Sequence, residues 1–155
     1  MIPNSYNGLP VTGIGAGAFR HCEELVSVTI PEGVTYLGEN AFYSCDQLTH
    51  VSLPDTMTRI EQKAFWECIK FSDITLPDSI TYIGPYAFYK CGLTSITIPK
   101  SVKAVQMFAF RYCKNLKKIT LPESVRKIGM GAFCLCNSLE NIMIPESVSE
   151  IEYAA

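Results

Sequence analysis

At 155 residues with 48% apolar and 18% charged residues, the chain is long and hydrophobic enough to build a sizeable core, which excludes a disordered tail. No apolar run approaches the roughly 18 residues that cross a bilayer, so membrane insertion is not expected. A net charge of −2 gives no reason to expect general affinity for nucleic acid.

The N-terminal Met1-Ile2-Pro3-Asn4-Ser5-Tyr6 carries neither a basic stretch nor an apolar one, and so does not read as a signal peptide. From there an Ala-Phe pair recurs six times, at Ala18-Phe19, Ala41-Phe42, Ala64-Phe65, Ala87-Phe88, Ala109-Phe110 and Ala132-Phe133, each with a cysteine three residues after the Phe. The period is 23 residues, slipping once to 22 where Cys91-Gly92-Leu93 has lost a residue relative to Cys45-Asp46-Gln47-Leu48. Self-similarity at this period is the mark of a repeat solenoid, whose units bury their apolar faces only by stacking. The predicted organisation is one solenoid domain over 1–155, with units at 8–30, 31–53, 54–76, 77–98, 99–121 and 122–144 and a partial unit at 145–155. That partial unit stops where another Phe should stand, so the chain is expected to be a fragment of a longer protein.

Each unit after the first opens on a proline: Pro31, Pro54, Pro77, Pro99, Pro122, Pro145. Two apolar columns follow: Val34, Met57, Ile80, Val102, Val125, Val148, and three residues on Leu37, Ile60, Ile83, Val105, Ile128, Ile151. Gly38, Gly84 and Gly129 mark a corner after the second column, where positive φ or close backbone approach is easy; Glu61, Gln106 and Glu152 at the same place show that positive φ is not compulsory. The Ala-Phe-x-x-Cys segment is too short for an independent helix, but one helical or 3₁₀ turn could turn Phe and Cys inward together. The unit closes on a Leu-x-x-Val-x-Ile segment, at 25–30, 48–53, 71–76, 93–98, 116–121 and 139–144. Its alternation predicts a short strand with one buried face, ended by the next proline, which has no amide hydrogen to give a ladder. Parallel short strands on one side, a second extended segment opposite and a turn between them are therefore expected.

The pattern L-x-x-I-x-I-P-x-S-V-x-x-I-G-x-x-A-F-x-x-C resembles the BspA-like, or treponemal-type, leucine-rich repeat over nearly the whole chain. The resemblance implies a right-handed curved solenoid with the Leu-x-x-Ile-x-Ile strands on its concave side. It further implies a cell-surface or secreted protein, often multidomain, that acts in adhesion to host or neighbouring cells.

Six cysteines, Cys22, Cys45, Cys68, Cys91, Cys113 and Cys136, share one position and Cys134 stands outside it. Rungs about 5 Å apart overlap disulfide Cα separations, yet side chains in such a column point the same way, so buried free thiols are the favoured reading and a disulfide the lesser one. Cys134-Leu135-Cys136 lacks the spacing of a structural zinc pair, and only His21 and His50 could add imidazoles, so no metal or other cofactor is expected. No serine elbow, phosphate loop or zinc-helix motif occurs, and no catalytic residue is assigned.

Candidate binding residues are those that do not repeat. The outward strand column Ser27, His50, Asp73, Ser95, Lys118 and Asn141 shares a site and differs in chemistry. Tyr43, Trp66 and Tyr89 follow the Phe of consecutive units and are candidate aromatic anchors, with Tyr36 and Tyr82 at another shared position. From residue 79 to 122 there is no Asp or Glu, whereas Lys90, Lys100, Lys103, Arg111, Lys114, Lys117 and Lys118 fall there, a belt suited to an acidic protein or sulfated glycan. The expected function is noncatalytic binding of a protein or glycan, such as a host matrix or cell-surface ligand. The alternative is a structural spacer that projects another domain. Solenoids normally need polar caps and none is evident at either terminus, so end-to-end self-association is a further expectation.

Overall fold

A computed structural model describes residues 2–155 and shows a β-solenoid of stacked units with no helix among the described residues. A hairpin comes first, β1 (Ser5–Tyr6) paired antiparallel with β2 (Leu9–Pro10). Each later unit contributes to one or both of two parallel ladders. The closing Leu-x-x-Val-x-Ile segments give β3 (Ser27–Thr29), β5 (His50–Ser52), β8 (Ser95–Thr97) and β10 (Lys118–Thr120). The segments after the proline corner give β4 (Tyr36–Leu37), β6 (Arg59–Ile60), β7 (Tyr82–Ile83), β9 (Ala104–Val105), β11 (Lys127–Ile128) and β12 (Glu150–Ile151).

The columns named from the sequence form the core, except that Ile151 at the end of the second column is exposed. Leu37, Phe42, Cys45, Leu48, Met57, Ile60, Phe65, Cys68 and Phe71 have no exposed surface. The six Phe rings run as one stack, with centroids 5.1 Å apart at Phe19–Phe42 and 5.4 Å at Phe42–Phe65, Phe65–Phe88 and Phe88–Phe110. Full burial of one such ring is worth about 1.5–3 kcal/mol, and units that share the stack gain this only together.

The Ala-Phe segment does not form the helical turn that its length allowed. Two left-handed residues per unit, such as Asn40 (φ 57°) and Ser44 (φ 52°), or Tyr86 and Lys90 (both φ 58°), turn alternate amides out of the local path. Ala41 N–H stays within its unit, on Gly38 O at 3.1 Å, while Phe42 N–H reaches Ala64 O of the next unit at 2.8 Å. Bonds between units replace the bonds a helix would have made along itself.

At the glycine corner the requirement is space. A Cβ on Gly38 would lie 2.7 Å from Ala16 N, on Gly84 2.6 Å from Gln62 N, and on Gly129 2.6 Å from Met107 N. These are backbone neighbours one unit back, which cannot swing aside as a side chain can.

Both ladders break where a residue is missing. The second ladder runs β4-β6-β7 and then β9-β11-β12, with no pairing between β7 and β9. In the first, β3 pairs β5, Asp73 joins by an isolated bridge to His50, and β8 pairs only β10. Each gap spans Gly92. The turn column crosses it intact: Phe88 N–H donates to Ala109 O at 2.9 Å and Lys90 N–H to Arg111 O at 2.8 Å. In the first ladder one backbone bond still crosses, Thr94 N–H to Ser72 O at 3.3 Å, at the same place as Thr49 N–H to Val26 O at 2.8 Å, so the lost residue loosens the strands while the turns stay aligned.

The strand expected over 139–144 is also not formed. Met143 is 87% exposed, so the segment has little burial to order it.

Candidate functional site

Three faces result: the first ladder, the second ladder and the turns. On the first, Ser27 is in register with His50, and His50 with Asp73, whose carboxylate lies 3.8 Å from His50 Nδ1. Ser95 is in register with Lys118. The seam separates Asp73 from Ser95, and Asn141 stands off from Lys118, so the column is three pieces rather than one surface. A cleft of about 790 Å³ opens between β10 and the 140–146 segment, with Lys117 and Lys118 on one wall and Glu140 and Glu146 on the other.

The basic belt is likewise distributed around the solenoid. Lys118 is on the first ladder, Lys103 beside the second and Arg111 on the turns, while Lys114 occupies the corner after Cys113. Lys100 is paired with Asp78 at 2.8 Å and Lys90 with Glu67 at 3.0 Å, each carboxylate coming from the preceding unit or its edge. Adjacent units thus partly neutralise the belt.

The turn face gathers more than the sequence indicated. Tyr43 and Trp66 stack at 5.9 Å with 5° between planes, and Trp66 and Tyr89 at 4.0 Å and 15°. Tyr86 joins at 5.2 Å from Trp66, Phe108 at 5.0 Å from Tyr86, and Tyr112 meets Tyr89 edge-on at 5.6 Å. Cations cover the cluster: Arg20 lies 4.9 Å from the Tyr43 centroid, Lys63 5.4 Å from Trp66, and Arg111 5.0 and 5.3 Å from Phe108 and Tyr112. Burial raises the Tyr89 phenol above its ordinary value. Tyr86, Phe108, Tyr112, Arg20 and Lys63 escaped notice because they occupy columns two residues before and one or two after the Phe, which only the two left-handed residues bring to one face. Tyr36 and Tyr82, by contrast, form no continuous column, since Arg59 stands between them with its guanidinium 4.3 Å from Tyr82.

All seven cysteines are free thiols. Burial pushes the thiols of Cys68, Cys91 and Cys113 far up, and that of Cys136 up to about 11, which removes them from nucleophilic chemistry. Among the described residues, no group of three or more His, Cys, Asp or Glu could hold a metal ion, and no helix is long and apolar enough to cross a membrane.

The repeat is matched over residues 5–117 and 58–155, in six copies, by the family described as BspA type leucine rich repeat region. The chain belongs to that family. The BspA-type chain is similar to a leucine-rich repeat protein from Bacteroides ovatus, with TM-score 0.89 and 29% identity over 98% of this chain and 44% of that one. It is similar also to the Treponema pallidum leucine rich repeat protein, with TM-score 0.69 and 29% identity over 90% of this chain and 77% of that one. A leucine rich cell surface protein from Faecalibacterium prausnitzii matches with TM-score 0.51 and 26% identity, over 89% of this chain and 52% of that one. No curated protein sequence matches. The BspA-type chain thus spans less than half the length of the Bacteroides structure.

Proposed function

We propose that the chain is a noncatalytic binding module of a cell-surface or secreted protein, acting in adhesion or host and cell interaction, with a protein or glycan as ligand. The observation that carries this is the turn-face ridge of Tyr43, Trp66, Tyr89, Tyr86, Phe108 and Tyr112. The core is already filled by the Phe stack, and these rings lie half-buried outside it. Large, rotor-poor rings with polar tips are the side chains favoured as interface anchors. The strand column Ser27, His50, Asp73, Ser95 and Lys118 flanks the ridge on another face as a secondary contact surface.

The test is a screen of immobilised matrix proteins and glycans against the native chain, a Trp66→Ala ridge variant and a His50→Ala/Asp73→Ala/Lys118→Ala strand variant. Loss of at least tenfold in affinity for Trp66→Ala, with less change in the strand variant, supports the ridge; the opposite ranking assigns binding to the strands. Failure of the native chain to bind anything would favour the spacer reading.

Self-association belongs to the same proposal. Exposed apolar side chains collect at the two ends, with Tyr6 and Leu9 each 71% exposed at one and Met143 and Tyr153 87% and 84% at the other. Light scattering over a concentration series should show weak end-to-end dimers, and a monomer at every concentration would overturn that part.

A further inference from the structure

We infer that the turn-face ridge takes an acidic polypeptide segment lying along the solenoid axis, an inference that rests on the ridge being the binding surface. The ring arrangement argues first. Sugars stack on open aromatic faces, and here the faces are taken: Trp66 lies between Tyr43 and Tyr89, the free side of Tyr43 carries Arg20, and Tyr89 meets Tyr112. Stacked rings present their edges outward, and ring edges bear the positive part of the aromatic quadrupole. The rim therefore favours anions before any formal charge is counted.

Charge points the same way. Among the described residues, Arg20, Lys63 and Arg111 make no ion pair, as Lys103, Lys117 and Lys118 make none, but these three are the ones that sit over the ridge rings. Arg111 is held between Phe108 and Tyr112 with its Nε inaccessible and without a hydrogen-bond partner, so its orientation is fixed by the rings rather than by a carboxylate. Glu67, next in sequence to Trp66, is already paired with Lys90 at 3.0 Å. A guanidinium immobilised in this way loses little entropy on gaining a carboxylate.

Dimensions suit an extended chain. From Arg20 to Arg111 is four unit steps, about 19 Å at the roughly 4.8 Å spacing of paired strands. About six extended residues, at about 3.3 Å each, cover that length, so a short run of Asp and Glu could meet Arg20, Lys63 and Arg111 in turn.

Trp66 is the only tryptophan and stands in the middle of the ridge, so its emission reports on the site directly. Poly-L-glutamate, heparin and cellohexaose titrated into the full chain at low ionic strength should give a saturable Trp66 change with poly-L-glutamate, stronger than with either sugar. Arg20→Gln/Lys63→Gln/Arg111→Gln should weaken that binding at least tenfold, and Lys117→Gln/Lys118→Gln less than twofold. Should the triple variant unfold, Lys63→Gln alone is expected to cost two- to threefold. Unaltered affinity in a folded triple or Lys63→Gln variant would overturn the inference. A Trp66 response to heparin or cellohexaose but not to poly-L-glutamate would overturn the peptide class while leaving the ridge as a binding surface. Silence of Trp66 toward all three, in a chain whose screen hits survive Trp66→Ala, would remove the ridge altogether.

Discussion

The Cys91 thiol donates to the carbonyl oxygen of Phe65, one unit earlier, at 2.9 Å. The same bond recurs from Cys68 to Phe42, Cys113 to Phe88 and Cys136 to Phe110, at 3.0–3.1 Å. Cysteine suits this place because it is small, apolar in bulk and still a weak donor.

Thiol accessibility follows directly. A disulfide reagent such as DTNB should label the half-buried Cys22 and Cys134 quickly in the native chain and the other five only as units open. Rapid labelling of all seven would contradict the buried ladder. Cys68→Ala should cost about 1–2 kcal/mol, measured by denaturant unfolding, because Phe42 O keeps its Cys45 amide at 3.3 Å and the loss is mainly of packing.

Gly84→Ala is expected to cost about 1–3 kcal/mol, since its Cβ would meet the backbone at Gln62. Gly15→Ala is the control: a Cβ there has nothing within 4 Å, and its effect on the melting temperature should be slight. Equal effects would show that space is not the reason for glycine at this corner.

Inserting one residue between Gly92 and Leu93, to match Cys113-Lys114-Asn115-Leu116, should bring β7 and β9 into pairing. Amide exchange at Lys103 and Gln106 would slow at least tenfold, since each would gain the partner that its equivalents Thr81 and Gly84 already have, on Thr58 O at 2.9 Å and Ile60 O at 2.8 Å. Gly92 itself must stay, because its Cβ would fall 2.5 Å from Ile69 O.

The last turn should depend on pH at both extremes. The Lys127 ammonium and the Met130 amide hold the Glu152 carboxyl below its ordinary value, and Glu152, with Glu150, holds the Lys127 ammonium above its own. Stabilisation from Glu152 is therefore present above the unfolded glutamate pKa and lost as pH falls through its folded value. Stabilisation from Lys127 is present below the unfolded lysine pKa and lost as pH rises through its folded value. NMR amide signals of Met130 and Glu152 should show fraying in acid that Glu152→Gln removes from the pH profile.

Much of this was legible because each core position recurs: the two apolar columns, the Phe stack and the cysteines occupy the places their periodicity indicated, apart from Ile151 in the last unit, which is 60% exposed. The shape of the turn was not, because Asn40, Lys63, Tyr86 and Phe108 have left-handed backbone without sharing any residue type that signals it. The ridge was only half visible for the same reason. Trp66 and Tyr89 could be paired by counting from the Phe, but Tyr86 and Phe108 reach them only through that backbone. The belt around Lys103, Lys117 and Lys118 looked continuous in one dimension and is divided among faces in three.

The gap at Gly92 also bears on how the chain acquires its structure. Nearest-neighbour coupling in a stack is the sum of its backbone bonds and its side-chain packing, and at this junction most of the strand bonds are missing while the turn bonds and the Phe stack persist. The two halves are then coupled more weakly than neighbours joined by full ladders and should open in sequence, with the turn bonds and the ring-to-ring contact as the clutch between them.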